Sequence, residues 1–387
     1  MMLILITHGA YIIGQNTKYV YVIYQNQVID SFVTGTRPVP NYLTIFGDTF
    51  LVVNSGGFSG DGSLAFINNK NVIYELFLPN YMNPMQAVRV NNKIYFTDFG
   101  DVFNDKIYIV QGFQIIDSIT VYKRPSAISY CFGYIYATST GINSDYSYDD
   151  SSFVHKINPD NNIVLNLRLR SNSNGVKCDG QYVYVMTSGT YDNNFNPLNN
   201  SAIYKIDPNN FVILDSTRNL QNVSAFAIGN NYILAGVWKF DSVLIYKINK
   251  NDFNEIDSFK LNYGGLGDID FDGQFFKISL GGFTSGPNAI YVLDESNNNY
   301  YYFVHHSNDV GSGFIKGFIS LDVVENVKPF YIRNNVLYVK SEDYVKIYDI
   351  SGKIVLSTKN NVISLKSLKP GLYVVSIGNK NYKIVLK

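Results

Sequence analysis

The sequence predicts an all-β protein, and three observations support this fold class. Aromatic residues make up 15% of the chain, with 32 Tyr and 26 Phe, and such residues at alternating positions favour strands. The segments between them are rich in Asn, Ser and Gly, which favour turns. No segment shows a sustained apolar stripe of helical period, so the pattern offers no amphipathic helix.

One hairpin recurs along the chain. In SAIYKIDPNNFVILD, residues 201–215, two short strands flank the turn Asp207-Pro208-Asn209-Asn210, where Pro presets φ and Asp and Asn tolerate tight conformations. Related hairpins give seven copies, spaced by roughly 42 to 49 residues, which is the range of propeller blades. The other six copies begin at Val20, Ala65, Ile107, Val154, Ile245 and Ile290.

A second, tighter hairpin precedes six of these copies. Its turns contain Gly or Asn, which adopt the positive φ that two-residue hairpin turns require. They are centred on Gly47, Asn92, Gly133, Gly180, Asn230 and Gly273. Together the two hairpins predict a four-stranded antiparallel blade, repeated seven times around a β-propeller.

The chain ends are predicted to complete the ring. The first copy lacks an inner strand, and the spare apolar segment 312–322 has a suitable length to supply it. Such pairing would remove exposed strand edges. We therefore predict a propeller over 1–322, a linker over 323–329, and a small immunoglobulin-like β-sandwich over 330–387.

Composition excludes some classes of function. The 31 basic and 31 acidic residues balance and do not cluster, so nucleic-acid binding is not expected.

No apolar run reaches transmembrane length. The N-terminus is interpreted as a strand rather than as a complete signal peptide, and the possibility that a leader was trimmed is left open. Cys131 and Cys178 are interpreted as two small buried hydrophobes rather than as a disulfide or metal site.

The C-terminal segment carries a specific set of motifs. VKIYDISGKIV (345–355) is followed by ISLKSLKPGLYVV (363–375) and a closing YKIVLK (382–387). This segment resembles the C-terminal sorting domain of the type IX secretion system, although it lacks the Asn-Pro pair at the domain entrance. The motif positions are Tyr348, Asp349, Gly352, Lys353, Pro370, Gly371 and Tyr373. The resemblance implies export and contact with the secretion machinery.

The preceding part of the chain resembles seven-bladed propellers of the YncE-like and surface-layer-associated type. Recurrent outer hairpins of the form Y-x-I-[DN] and inner D-G-x-x turns carry this resemblance. It implies a fold and leaves function open, because such propellers include binding proteins, lactonases and lyases.

Ligands of propellers commonly meet the face that carries the longer loops, and several candidate residues lie there. The blade-to-blade connections carry arginines which, if they turned to the axis, would form a cationic ring for carboxylate or sulfate groups. Trp238 and two loop tyrosines could stack on a planar or apolar ligand. The candidates are Arg37, Arg124, Arg170, Arg218, Trp238, Tyr146 and Tyr191.

Signals for catalysis or metal binding are weak. Two loops are rich in carboxylates, with Asp98, Asp101 and Asp105 in one and Asp145, Asp149 and Asp150 in the other. Calcium is therefore considered, but neither loop follows the EF-hand order and no cofactor is expected. His305 and His306 would point to opposite faces of a strand, and no nucleophile elbow is present.

These features predict an exported or cell-surface, non-catalytic propeller that binds a glycan or protein partner. The first alternative is a propeller enzyme of the lyase or lactonase kind with a loop-held metal. The second is a structural scaffold of a surface assembly.

Overall fold

The computed structural model is built almost entirely of antiparallel β-structure, in agreement with the predicted fold class. It describes residues 4–24, 27–58, 60–100, 105–143, 145–192, 196, 198, 201–218, 220–239, 241–281, 288–305, 314–323, 330–333, 336–339, 344–349, 351–377 and 380–386. Within these residues no helix is long and apolar enough to cross a membrane.

Seven four-stranded sheets precede residue 324 in the described part of the chain. Sheet 1 has the order β28-β1-β2-β3, and sheets 2 to 7 take four consecutive strands each, from β4–β7 to β24–β27. The strands are β1 (Ile4–Gly14), β2 (Tyr19–Tyr24), β3 (Gln27–Val33), β4 (Pro40–Phe46), β5 (Thr49–Asn54), β6 (Ser63–Asn68), β7 (Asn71–Phe77), β8 (Pro84–Val90), β9 (Lys93–Asp98), β10 (Lys106–Gln111), β11 (Gln114–Thr120), β12 (Pro125–Cys131), β13 (Tyr134–Ser139), β14 (Ser152–Ile157), β15 (Val164–Leu169), β16 (Ser173–Cys178), β17 (Val183–Thr187), β18 (Ala202–Asp207), β19 (Val212–Ser216), β20 (Val223–Ile228), β21 (Tyr232–Lys239), β22 (Ser242–Asn249), β23 (Glu255–Leu261), β24 (Leu266–Phe271), β25 (Phe275–Leu280), β26 (Asn288–Asp294), β27 (Tyr300–His305) and β28 (Ile315–Val323). One 3₁₀ turn, Gly56–Phe58, follows β5.

Sheet 1 joins strands from both ends of this region. Strand β28 supplies its inner position, beside β1, and the Ile13 N–H donates to the Phe314 carbonyl at 3.0 Å. The two ends of this region thus share one sheet, in which β28 pairs with the inner edge of β1.

The core lies between neighbouring sheets and is divided into seven hydrophobic clusters, one for each junction. At the junction of sheets 7 and 1, Ala10, Ile12 and Ile23 pack against Ile290 and Val292, with Ile315 of β28 in the same cluster. Alternation along each strand sends apolar residues to these junctions, which explains why no single large core forms.

Lysines on third strands tie sheets 4 to 7 together. Each lysine reaches the outer hairpin of the next sheet: Lys156 Nζ donates to Pro208 O at 2.5 Å, Lys205 Nζ to Lys250 O at 3.4 Å, and Lys247 Nζ to Asn298 Oδ1 at 2.8 Å. The same ammonium groups lie 3.9 to 4.2 Å from the ring centroids of Tyr134, Tyr182 and Tyr232. Each lysine therefore gains a cation–π contact as well as its hydrogen bond.

The interpretation of the cysteines as separate thiols is wrong. A disulfide joins Cys131 to Cys178, with the Cα atoms 6.7 Å apart and a sequence separation of 47 residues. The two residues end β12 and β16, the inner strands of sheets 4 and 5. Inner strands converge toward the axis of a propeller, so equivalent positions come within bonding range there.

The C-terminal segment forms two more sheets around a core of its own. One has the order β29-β30-β33 and the other β32-β31-β34-β35, and they share a cluster that includes Leu337, Ile347 and Val375. The strands are β29 (Phe330–Arg333), β30 (Val336–Val339), β31 (Val345–Tyr348), β32 (Ile354–Thr358), β33 (Val362–Ser364), β34 (Gly371–Ile377) and β35 (Lys380–Leu386). The chain divides into two compact units, one of residues His8–Ile319 and one of Met1–Thr7 with Ser320–Lys387.

Replacing Ile315 by Ala should destabilise the first unit strongly. The side chain is fully buried in the cluster that joins the first and last sheets, and buried Ile→Ala changes cost about 2–5 kcal/mol. Urea unfolding of the purified protein measures the change. The matched control is Ile29→Ala, because Ile29 is 58% exposed on an outer strand. Equal losses for the two variants would contradict a closing role for β28.

Candidate functional site

The inner strands of all seven sheets line one central cavity of about 870 Å³. The lining extends from Asn41 and Asn174, at the starts of their strands, to Phe46 and Ile228, at the ends. This cavity is the central channel of the propeller. Its volume lies in the range of small-molecule sites.

A repeated irregularity places polar side chains in this channel. Six inner strands have a register break near their first residue, and β-bulges re-aim side chains and often occur beside binding sites. Five residues with polar side chains at these breaks line the channel, and we call them the collar: Asn41, Gln86, Asn174, Ser224 and Asp268.

Hydroxyl groups on second strands complete the bulges. A bulge leaves a backbone N–H without its ladder partner. The Gln86 N–H donates to Thr97 Oγ1 at 3.2 Å and the Asp268 N–H donates to Ser279 Oγ at 2.8 Å. The Ala127 N–H donates to Thr138 Oγ1 at 3.1 Å in the same way. The backbone N–H groups at these three bulges therefore have hydrogen-bond acceptors, and the same arrangement recurs from sheet to sheet.

Charged side chains gather on one side of the channel. Lys177 Nζ donates to Ile269 O at 2.7 Å and lies 3.8 Å from Asp268 Oδ1, while Lys316 Nζ lies 3.1 Å from Asp270 Oδ2. Burial raises the pKa of Asp268, and the charge of Lys177 opposes this shift. The cluster carries two carboxylates and two ammonium groups, so it has no large excess of charge.

The loop face bears a second feature, centred on Arg124. This residue precedes β12 with a φ of 50°, a conformation that non-glycine residues adopt at a cost. Its side chain is buried, and the guanidinium carbon lies 5.0 Å from the ring centroid of Phe99 and 5.1 Å from that of Tyr146. Tyr146 is 69% exposed on its other side. A buried cation thus holds an exposed aromatic ring in place.

The loop that carries Tyr146 is tied by its own polar groups. The Tyr146 N–H donates to Asn143 O at 3.1 Å, and the Asp149 N–H donates to Gly141 O at 2.9 Å. Lys123 Nζ donates to Asn143 Oδ1 at 2.7 Å and to Asp149 Oδ2 at 3.0 Å. These hydrogen bonds preorganise the loop around the exposed ring.

The predicted arginine ring does not form at the axis. None of the four arginines is among the described residues that line the channel. Arg37 instead pairs with Asp61 at 2.5 Å, and its guanidinium carbon lies 4.9 Å from the ring centroid of Phe77. Arg170 and Arg218 are exposed.

The two other aromatic candidates have internal partners. Trp238 was expected in a loop, but it lies in β21, because that strand continues to Lys239. Its Nε1–H donates to Gly264 O at 2.6 Å, so part of the indole serves packing. The Tyr191 hydroxyl contacts Asn222 Oδ1.

In the two carboxylate-rich loops, Asp98 and Asp149 accept hydrogen bonds from groups of the protein itself. Asp98 is buried, and its Oδ1 accepts from the N–H groups of Asn83 and Gly100 at 2.6 and 3.0 Å. Asp149 accepts from Lys123, Tyr122 and Asn143. Asp101 and His306 lie outside the described residues. Within the described ranges, no group of three His, Cys, Asp or Glu side chains could hold a metal ion.

A buried histidine lies in β14, the third strand of sheet 4. His155 Nδ1 lies 2.7 Å from Asn166 Oδ1 and Nε2 lies 2.8 Å from Ser139 Oγ, and the Ser139 hydroxyl donates to Tyr122 O at 2.8 Å. Burial lowers the pKa of His155 to about 4, against the opposing effect of Asn166. The ring is therefore neutral in the folded protein at neutral pH.

Acidification should destabilise the protein through His155. Its pKa is lowered on folding, so the unfolded chain binds the proton first, and stability falls as the pH decreases from about 6.5 to 4. The loss is on the order of 3 kcal/mol. Urea unfolding at pH 7 and pH 4.5 measures it, and His155→Gln should lose less stability over this range than the wild type. The same loss in both proteins would show that other groups cause the dependence.

The motif residues of the C-terminal unit form a turn and a strand start. Asp349 Oδ1 accepts from Ser351 N–H at 2.9 Å and from Lys353 N–H at 3.1 Å, while Gly352 has a φ of 83°. Tyr373 is buried, and its hydroxyl donates to Lys369 O at 2.8 Å. The remaining motif positions lie beside them: Tyr348 ends β31, Pro370 is exposed and Gly371 begins β34.

Comparison with known proteins agrees with this architecture. Residues 328–387 match the family described as the secretion system C-terminal sorting domain. No curated protein matches the chain. The chain is similar to hydrazine synthase of Kuenenia stuttgartiensis, with 13% identity and a TM-score of 0.51 over 76% of this chain and 95% of that chain.

Two further solved structures are similar. Dihydro-heme d1 dehydrogenase NirN, in complex with DHE, has 10% identity and a TM-score of 0.50, over 80% of this chain and 74% of that chain. A chain of the mitotic checkpoint complex has 11% identity and a TM-score of 0.51, over 70% of this chain and 78% of that chain. Hydrazine synthase and NirN are β-propellers. At these identities the likeness shows the fold alone.

Fold and comparisons together define the class of protein: a β-propeller followed by a C-terminal sorting domain. It is a secreted, cell-surface protein whose sorting domain engages the type IX secretion machinery.

Removing residues 330–387 should abolish export, because the match to the sorting domain lies in this segment. The measurement compares full-length and truncated protein in the cell, in the medium and on the cell surface by immunoblot. The control is Tyr300→Ala, an exposed outer-strand change outside the sorting domain. Surface delivery of the truncated chain would contradict the assignment.

Proposed function

We propose that the protein is a secreted, non-catalytic binding module that engages a glycan or a protein through its loop face. The seven sheets would be the blades of a YncE-like propeller over 1–322. Residues 323–329 would link it to the sorting domain over 330–387. The sorting domain would deliver the propeller, and the propeller would recognise the ligand.

The single observation that carries this proposal is the preorganised ring of Tyr146. An aromatic residue with 69% exposure offers contact area, and the buried Arg124 with the tied loop reduces the conformational entropy lost on binding. Rigid, partly exposed tyrosines are typical anchors of recognition surfaces.

The described carboxylates give less support to a metal-dependent enzyme. Asp149 uses its oxygens on Tyr122, Lys123 and Asn143. Asp145 accepts from the Ser147 N–H and hydroxyl at 3.0 and 2.6 Å. A metal ion at this loop would have to displace these bonds.

Replacing Tyr146 by Ala should weaken ligand binding at least tenfold, since loss of an anchoring aromatic typically costs about 2 kcal/mol or more. The purified full chain is screened on a glycan array and against surface extract of the producing organism, and each hit is titrated with wild type and variant. Tyr300→Ala is the matched control, because Tyr300 is 63% exposed on an outermost strand.

The two classes of ligand give different outcomes in this experiment. A glycan hit that depends on Tyr146 supports recognition of saccharide, and a protein hit with the same dependence supports a protein partner. Hits that tolerate Tyr146→Ala as well as they tolerate Tyr300→Ala would contradict the proposal.

A further inference from the structure

One buried arginine of the loop face has no acceptor for its hydrogen bonds. Arg124 is 7% exposed, and its guanidinium contacts the rings of Phe99 and Tyr146. In the part of the chain that the structure describes, no carbonyl or carboxylate oxygen accepts from this group. Burying an ionised group without a hydrogen-bonded partner is costly, so the unpaired cation calls for an explanation.

Two other arginines contact aromatic rings, and each of them also has an acceptor. Arg37 pairs with Asp61 at 2.5 Å, and Arg89 Nε donates to Asn91 O at 2.7 Å. Contact with a ring and a hydrogen bond to the protein are therefore compatible in this chain. The ring contacts of Arg124 alone do not account for its missing acceptor.

Two carboxylates of the loop that carries Tyr146 are engaged elsewhere. Asp149 accepts from Lys123 Nζ at 3.0 Å, and Asp145 accepts from the Ser147 N–H and hydroxyl at 3.0 and 2.6 Å. Neither carboxylate pairs with the buried guanidinium. The described part of the loop therefore does not neutralise this cation.

The guanidinium remains accessible despite its burial. Its nitrogens are not among the fully enclosed polar atoms without a partner in the described residues, so the exposed 7% of Arg124 includes N–H donors. These donors form a planar fork that matches both oxygens of a carboxylate. A bound carboxylate would supply the acceptors and also compensate the charge, whereas a hydroxyl group would supply an acceptor alone.

The short distance between the cation and the exposed ring favours one kind of carboxylate. The guanidinium carbon lies 5.1 Å from the ring centroid of Tyr146, which is 69% exposed. In a uronic acid the carboxylate is attached directly to a pyranose ring, so an ion pair with the arginine brings the sugar's C–H face near the tyrosine ring. An acidic side chain of a protein holds its carboxylate on a flexible stem, and fixing that stem costs rotamer entropy.

We propose that the ligand of the loop face is an acidic saccharide whose uronate carboxylate binds the guanidinium of Arg124 while its sugar ring contacts Tyr146. This inference rests on the function proposed above and names the ligand class that the same site takes. The N–H groups of Arg124 serve the ligand, and its contact with Tyr146 positions the aromatic ring beside them.

The test uses the full-length protein and isothermal titration calorimetry. The probes are glucuronate and galacturonate, as monosaccharides and as short oligosaccharides, with the corresponding amides as uncharged matches. At least one uronate should bind saturably, and its amide should bind at least tenfold more weakly because the charge-assisted pair is lost. This comparison needs no substitution, so a folding defect cannot produce the expected result.

Arg124→Lys tests the same contact from the side of the protein. Lysine keeps a positive charge beside the rings but lacks the planar fork, so uronate binding should weaken at least tenfold. Arg89→Lys is the matched control, because Arg89 also contacts a ring but has an acceptor within the protein. The control should bind the uronate as the wild type does.

The inference is overturned if no uronate binds, if acid and amide bind equally, or if Arg124→Lys binds as tightly as the wild type. Binding of an N-acetylated glutamate dipeptide in place of every uronate would also overturn it. Failure of the proposed function gives a different result, because uronate binding that requires Arg124 but survives Tyr146→Ala contradicts the role of Tyr146 alone. A neutral ligand that depends on Tyr146 and tolerates Arg124→Lys contradicts the inference and leaves the proposed function in place.

Discussion

The junction between the first and last sheets is the constraint on which the propeller depends. Strand β28 supplies the inner position of sheet 1, and Ile315 packs with Ile12 and Ile290 in one buried cluster. Each of the other junctions joins sheets that are consecutive in sequence. This one alone brings together segments nearly three hundred residues apart, so it carries the largest entropic cost of closure. The channel has a complete wall only once that cost is met.

Closure also decides where chemistry can occur. The charged cluster uses Lys316 from β28 and Asp270 from β24, so one ion pair of the channel exists only in the closed ring. The collar depends on bulges that each inner strand forms separately, and the wall that surrounds them depends on the ring. Local backbone irregularity and global topology therefore contribute different parts of the same cavity.

Repetition made the architecture predictable from the sequence, and departures from repetition limited the prediction of the site. Turn residues such as Asp207-Pro208 and Gly180 act locally, so their recurrence predicted the antiparallel strands well. The conformations of Arg37 and Trp238 depend on neighbours distant in sequence, Asp61 and Gly264, which no local pattern reveals. The disulfide escaped prediction because it depends on the convergence of two inner strands. One missed signal was present, because the hydroxyls that complete the bulges follow their partners by a constant 11 residues in three sheets.

The disulfide and the sorting domain are two independent indications that the protein acts outside the cell. Disulfides persist where conditions are oxidising, as outside the cell, and Cys131–Cys178 joins neighbouring inner strands beside the channel. Sheets 4 to 7 are linked further by the lysines that reach from one sheet to the next. The loop of Tyr146 leaves sheet 4, within this reinforced part of the ring. A recognition surface that must act outside the cell gains most from such support. A loop that the propeller holds rigid loses little conformational entropy when the exposed side chain of Tyr146 binds a ligand.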